Sequence, residues 1–329
     1  MRRIFFIVGP TATGKSELAA DIACEVGAEI VSADAFQIYR GLDLLTAKPD
    51  ASMLTKAQHH LIGTVPLSEE MNAEKYRRAA SGAIEQINSR GKLAIVVGGS
   101  GLYIKALIHG LSPLPETDPE LRKKLNAMSL DELRSQLMEF DPVAARTIDT
   151  KNRRRVVRAL EICLLTGKPA SAQLSRRGDL QIALSGGLET AAPCQPSQTA
   201  LSASRAAGLF ILRDREELYA RINQRVEAMF EQGVIEEVRA AGTTSATASQ
   251  VIGLRQVREL LNGRMSLSQC IAEIQQATRR YAKRQLTWFR RQTNFLPLNL
   301  SLLTHNEARI LLRMRAEPER VSEIRTTDD

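Results

Sequence analysis

Eight consecutive residues, Gly9-Pro10-Thr11-Ala12-Thr13-Gly14-Lys15-Ser16, match the pattern G-x-x-x-x-G-K-[ST] between an apolar run and a helical one. Such a loop turns backbone N–H groups onto phosphate oxygens, and the N-terminus of the following helix adds partial positive charge. Lys15 can then neutralise a diphosphate, and Ser16 offers a hydroxyl to Mg²⁺. A nucleotide hydrolase built on this loop also needs an apolar strand ending in a metal-holding acid. The candidate strand here, LAIVVGGS (93–100), ends in glycines. The acid lies on the preceding strand instead, as Asp34 in IVSAD. Two roles are open to it: a base at the carboxyl end of a parallel strand, facing a ligand crevice, or the cap of the turn SADAF. Gly98-Gly99-Ser100-Gly101 follows a buried strand, and its small residues let backbone and one hydroxyl approach a phosphate.

Other chemistry is poorly supported. His59 and His60 are adjacent and project differently, which does not make a metal site. Cys24, Cys163, Cys194 and Cys270 stand alone, without the spacing of a zinc finger or a disulfide framework.

Two basic segments point to a polyanion. In KNRRRVVRALEICLLTGK (151–168), Arg154, Arg155 and Arg158 lie to one side, with Val157, Leu160 and Leu164 as an apolar stripe. In RRYAKRQLTWFRRQ (279–292), Arg280, Lys283, Arg284 and Arg291 share a face, with Ala282, Leu286 and Phe289 on another. No acid occurs from Gln275 to Phe295. A solvated helix surface normally intersperses acids for i,i+4 pairing, so unmixed charge favours a phosphate backbone as partner. The whole chain of 329 residues agrees, with 45 Lys and Arg against 37 Asp and Glu and a formal charge of +8.

The elements that must position these residues alternate. IFFIV (4–8), EIVSAD (29–34) and KLAIVVGGS (92–100) read as strands, and SELAADIACEV (16–26) and EKYRRAASGAIEQINSR (74–90) as helices. Continuous apolar strands separated by helices predict an α/β fold, a P-loop NTPase-like parallel sheet with helices on both faces. At SPLPETDP, Pro113, Pro115 and Pro119 interrupt the pattern, and helical segments follow to about 165. The expected organisation is a core over 1–112, an inserted smaller helical domain over 113–208 whose 175–208 stretch is a Ser/Gly/Ala/Pro linker, a second core part over 209–316, and a frayed tail over 317–329. LFILRD (209–214) reads as a returning strand, with Asp214 and Glu217 as a capping box for the next helix. Ser266 and Gln269 open another helical stretch, free of Gly and Pro to about residue 292. The opening MRRIFFIVGP is too short for a signal peptide, and no run of apolar residues could span a bilayer, so a soluble, cytoplasmic protein is expected.

Taken together, GPTATGKS, IVSADAFQIYRGLDLLTAKP, RGKLAIVVGGSGLYIKALIHGLSPLP, DPVAARTID, RRVVRALEICLLTGKP, REELYARINQRVEAMFEQGVIEEV, VIGLRQV and TRRYAKRQLTWFRR make the chain resemble the bacterial tRNA dimethylallyltransferases. The resemblance runs in the family's order over nearly everything but 175–208 and the tail. It implies transfer of a dimethylallyl group from dimethylallyl diphosphate, with Mg²⁺, to N6 of adenosine 37, 3′ of the anticodon, in tRNAs reading codons that begin with U. Asp34 matches the family's general base, Thr11 and Ser100 match residues near the diphosphate and bridging oxygen, and Arg225 matches an arginine associated with the donor. By family position, Asp34, Ala35, Phe36 and Gln37, then Arg154, Arg155, Val156, Val157 and Arg158, then Gln250, Val251, Ile252, Gly253, Leu254 and Arg255 line the RNA path. Arg280, Lys283 and Arg284 add a basic face, and the helical insertion clasps the anticodon stem-loop. Three positions depart from the family: Ser100 for Thr, Leu254 for Tyr, and Leu44-Leu45 for Ile-Gly. A monomer is preferred. The rival readings are prenylation of free adenine nucleotide, an ATP-dependent small-molecule kinase, and a non-catalytic RNA-binding protein.

Overall fold

The computed structural model describes residues 3–111, 114–115, 117–173, 207–292 and 295–316. The predicted linker over 175–208 (but for its last two residues), Pro113, Cys194 and the tail from 317 lie outside them.

Six strands form one parallel sheet: β1 (Ile4–Val8), β2 (Glu29–Ser32), β3 (His59–His60), β4 (Ala94–Gly98), β5 (Ala207–Leu212) and β6 (Leu296–Asn299). Their order is β3-β2-β4-β1-β5-β6. The phosphate loop leaves β1, Asp34 follows β2, and Ser100 follows β4, so the three neighbouring strands β2, β4 and β1 deliver all three to the carboxyl end of the sheet. That end is where ligands bind in open α/β sheets.

Both faces of the sheet are covered. Phe5, Ile7, Ile30, Ile95 and Ile211 pack with Leu18 and Ile22 of α1 (Lys15–Val26) and with Leu312 of the C-terminal helix. Alternate residues face the other way, and there Phe6 meets Phe295 at 5.8 Å between ring centroids while Phe210 stacks on Phe289 at 5.6 Å. Each such buried side chain contributes about 1.5–3 kcal/mol over its exposed state. This two-sided burial explains why the strands read as continuous apolar runs. At the far end of β2, Glu29 is buried and accepts hydrogen bonds from His60 at 2.8 Å, Arg90 at 2.7 Å and Lys92 at 3.0 Å. Burial raises its pKa, but these three donors outweigh burial and bring it down to about 2.

The described residues divide into two compact units: Met1–Glu70 with Arg78–Ile108 and Leu201–Asp329, and Met71–Arg77 with His109–Ala200. In the first, the helices after α1 are α2 (Ala51–Lys56), α3 (Ala73–Ser89, shared with the second unit) and α4 (Gly101–His109). The second unit is helical: α5 (Pro119–Ala127), α6 (Leu130–Phe140), α7 (Pro142–Thr147), α8 (Arg153–Thr166) and α9 (Ala170–Gln173). Asp118 caps α5, Ser129 and Glu132 make a capping box on α6, and Asp141 caps α7. Leu125, Leu133, Leu137, Val156, Leu160 and Ile162 form its own core. The chain returns through β5 to α10 (Arg215–Glu231), α11 (Val234–Ala240), α12 (Leu254–Leu261), α13 (Leu267–Phe289) and α14 (His305–Ala316).

Several expectations need correction. β5 begins at Ala207, two residues before LFILRD and inside the stretch read as linker. The edge strands β3 and β6 were not foreseen; two residues in one case and a Pro-containing stretch in the other carry no period. No capping box forms at Asp214: it accepts from Asn299 Nδ2 at 2.9 Å, while Glu217 engages Arg213 and Ser301. The capping box of Ser266 and Gln269 is present, but the helix it opens ends at Phe289 rather than near 292, which makes 23 residues and about 34 Å. In α8 the apolar stripe lies differently, with Leu164 exposed.

Candidate active site

The phosphate loop is shaped by backbone demands. Gly14 sits at φ +90° at the N-cap of α1, a conformation that favours glycine, and without a side chain it leaves the first-turn N–H groups of Lys15 and Ser16 uncapped. Ala12 also takes a positive φ of 65°. Inside the loop, Thr13 Oγ1 donates to Pro10 O at 3.1 Å and is wholly buried, so its side chain braces the loop and only its backbone is left to meet a ligand. Lys15 Nζ also donates to Pro10 O, at 3.1 Å. Burial lowers the Lys15 pKa to about 8; Asp34 opposes the shift and Arg225 adds to it.

Three arginines that follow the return strand hold the loop from outside. Arg213 Nε donates to Thr13 O at 2.9 Å, Arg221 Nε to Ala12 O at 3.0 Å, and an Arg225 terminal nitrogen to Thr11 Oγ1 at 2.7 Å. Arg225 Nε is buried and has no hydrogen-bond partner among the described residues. A desolvated cationic donor left open beside a phosphate loop is suited to an anion. The family resemblance assigns Arg225 to the donor; Arg213 and Arg221 are not among the expected site residues.

Of the two roles open to Asp34, the turn cap is present and its second oxygen is left for the other. Its Oδ1 accepts from Phe36 N at 2.9 Å and Gln37 N at 3.3 Å, which is the turn cap. Its Oδ2 makes no hydrogen bond among the described residues and is free to act on a ligand. Asp34 also lines two cavities. One is bounded by Lys15, Ser16, Ser32, Gln37 and His59, and the other by Thr11, Phe36, Arg225, Val251, Ile252 and Tyr281. The carboxylate therefore lines both the cavity of the loop lysine and a chamber walled in part by Phe36 and Tyr281. Burial lowers the pKa of His59, which keeps that ring neutral, and its Nδ1 is engaged by Ala57 O at 2.8 Å. Ser100 is buried, and its Oγ accepts from Ala35 N at 2.9 Å, which ties the loop after β4 to the backbone beside Asp34.

Two residues absent from the expected site belong to it. Tyr281 lies in the wall facing Asp34, 6.0 Å from the Phe36 ring and under Arg284 at 5.6 Å. Burial first, and then the Asp34 charge, push its hydroxyl far above the usual tyrosine range, so it stays a neutral donor. Gln285, one turn on, accepts from Thr11 N at 2.9 Å and donates to Gly99 O at 2.9 Å. The Thr11 amide is thus turned away from phosphate.

Of the residues expected along an RNA path, Phe36, Val251 and Ile252 line the Asp34 chamber, Ala35 and Gln37 flank it, and Gly253 lies beneath the Leu45 side chain. Gln250 and Arg255 are exposed, the latter paired with Glu259 at 2.9 Å. Leu254 is 1% exposed and lines neither cavity, so it serves packing and not contact with a ligand. Leu45, where the family has Gly, fills space over Gly253, and the amides of Leu44 and Leu45 are both held by Glu237, at 2.7 and 2.9 Å. Arg280, Lys283 and Arg284 are exposed on α13. In the helical unit Arg154 is exposed and Arg155 half-buried, but Val156, Val157 and Arg158 are not available. Both valines belong to the unit's core, and Arg158 is 4% exposed, bound to Glu161 and to Pro115 O at 2.9 Å. A cation satisfied inside the protein cannot also bind phosphate, which corrects the one-sided reading of the three arginines.

The chain is similar to known proteins over most of its length. The sequence pattern of the IPP transferase family matches residues 37–292. The chain is 41% identical to a tRNA dimethylallyltransferase of Citrifermentans bemidjiense over 89% of its own length and 90% of the relative's, and 39% identical to one of Akkermansia muciniphila over 87% and 90%. Among solved structures, the tRNA isopentenylpyrophosphate transferase of Bacillus halodurans matches with a TM-score of 0.64 at 30% identity, covering 98% of this chain and 99% of that one. A eukaryotic dimethylallyltransferase acting on tRNA shares the fold, with a TM-score of 0.74 at 24% identity, 98% of this chain and 80% of that one.

Proposed function

The chain belongs to the IPP transferase family, and from that premise we propose that it transfers a dimethylallyl group from dimethylallyl diphosphate to N6 of adenosine 37 in tRNA, releasing diphosphate. The observation that carries the reading is the position of Asp34, whose open Oδ2 lies between the phosphate loop and the chamber walled by Phe36 and Tyr281. The diphosphate takes the uncapped amides of Lys15 and Ser16, the Lys15 ammonium and the vacant Nε of Arg225. These donors are aimed where charge grows as the allylic C–O bond breaks. Adenine N6 is a weak nucleophile because its lone pair is delocalised into the ring. As its bond to the allylic carbon forms, Asp34 accepts the N6 proton.

Mg²⁺ suits this site as a companion of the diphosphate. Among the described residues no group of three His, Cys, Asp or Glu forms a metal cage. Ser16 Oγ, a single protein oxygen offered to the cavity, is of the kind that leaves Mg²⁺ to phosphate oxygens and water. When bound, the ion would neutralise charge on the leaving diphosphate. Adenosine in a tRNA loop must leave its stack to reach Asp34, and the exposed cations of α13 supply contacts for the backbone while it does so. The helical unit is assigned to the anticodon stem. The reading includes a monomer acting in the cytoplasm; among the described residues no helix is long and apolar enough to cross a membrane.

The test is incubation with Mg²⁺, labelled dimethylallyl diphosphate and either unmodified tRNA or AMP, followed by nucleoside mass analysis. Label at N6 of the adenosine beside the anticodon is expected. Label in AMP alone would transfer the protein to the free-nucleotide class, and ATP-dependent phosphorylation without prenylation would overturn the reading altogether.

A further inference from the structure

Gln285 is 5% exposed, and its amide is spent on two loops that are far apart in sequence. Oε1 accepts from the Thr11 amide of the phosphate loop, and Nε2 donates to the Gly99 carbonyl after β4, both at 2.9 Å. The fit is close: a Cβ on Gly99 would stand 2.1 Å from Gln285 Nε2. From Gly99 the linkage continues to the base. Ser100 N donates to Ala33 O at 3.1 Å, and Ser100 Oγ accepts from Ala35 N at 2.9 Å, so the residues on both sides of Asp34 are held by Ser100. Ile274, Thr278 and Tyr281 on the same helix face line the Asp34 chamber, while Arg280, Lys283 and Arg284 are exposed on another face.

We propose that Gln285 is a positioning residue that fixes the separation between the diphosphate loop and the Ser100–Asp34 backbone, so that C–O ionisation and N6 deprotonation occur on aligned groups. The inference rests on the prenyl-transfer reading. A side-chain amide suits the task because it presents one acceptor and one donor in a rigid plane. Loss of alignment by about 1 Å is enough to cost on the order of 10²-fold in rate. It also has a chemical signature. If the allylic C–O bond breaks while N6 is misplaced, water attacks the allylic carbon, giving dimethylallyl alcohol, diphosphate and a proton.

The experiment compares wild type, Gln285→Glu and Gln285→Met for kcat, tRNA KM, and the ratio of diphosphate released to prenyl groups transferred. Glu is isosteric and still accepts from Thr11 N–H, but sets a carboxylate oxygen against the Gly99 carbonyl; Met removes both bonds. The expected result is a kcat lowered 10- to 100-fold with tRNA KM within about twofold, and a release ratio above one in both variants against one in wild type. A purely structural role would lower the active fraction and leave the ratio at one. A ratio of one in the Glu variant, or an unchanged kcat, would overturn the proposal even if the Met variant failed to fold. Wild-type protein that prenylates no tRNA would instead overturn the functional reading on which the proposal stands.

Discussion

At the scale of single residues, the decisive feature is that Asp34 divides its labour between two oxygens. Because Oδ1 caps its own turn, Asp34→Ala removes a structural bond along with the proposed base, whereas Asp34→Asn keeps the cap and abolishes proton acceptance. The Asn variant is expected to lose about 10² or more in turnover with tRNA affinity intact. Turnover near wild type in Asp34→Asn would remove Asp34 as the base. Lys15 makes a separate prediction. Its buried ammonium titrates at about 8, below the ordinary lysine value, so it sheds its proton as pH rises through 8 and the anionic donor loses a partner. The kcat/KM for dimethylallyl diphosphate should fall about tenfold per pH unit above that point, while kcat holds better because bound diphosphate draws the proton back. Lys15→Arg, charged throughout, should lack this inflection in a pH series. An inflection that survives in Lys15→Arg assigns the titration to another group.

The elements explain which of these features the sequence could disclose. The phosphate loop, Asp34 and Ser100 were legible because each closes a buried strand, and parallel strands expose their carboxyl ends together. Gln285 and Tyr281 were hidden inside a segment whose basic residues drew attention to charge; no single-helix pattern says that the face opposite Arg280 closes a reaction chamber. Arg158 misled for the converse reason. Its charge suggested solvent, but Glu161, one turn on, makes the pair internal, and Glu161 is itself wholly buried. Strands β3 and β6 were missed because their positions are set by pairing with β2 and β5 and not by any period of their own. For α13 the outward face remains the testable part. Reversing Arg280 and Arg284 to Glu should weaken tRNA binding and reduce the slope of log affinity against log salt by about two, leaving the donor KM unchanged. An unaltered slope, measured by filter binding across a salt series, would exclude this face from the phosphate backbone.

On the scale of the whole molecule, each of the two units buries a core of its own among the described residues, where one core would be hard to extend over 329 residues. The sheet core gathers Ile7, Ile22 and Ile95, and the helical core gathers Leu133, Leu137 and Leu160, with the whole phosphate loop in the sheet unit. Ligand and mutation should therefore act on different transitions. Leu133 is fully buried, and Leu133→Ala should cost about 2–5 kcal/mol in the helical unit. Diphosphate with Mg²⁺ should stabilise the sheet unit, by about 2.7 kcal/mol at a hundredfold excess over its Kd, because binding favours only the state that holds the loop. Calorimetry should then resolve two components, one lowered by Leu133→Ala and insensitive to diphosphate, the other raised by diphosphate and insensitive to the substitution. A single transition moved by both would mean that the two cores unfold as one cooperative body. In that case strain in the helical unit would be felt at the phosphate loop, and Leu133→Ala should weaken diphosphate binding as well.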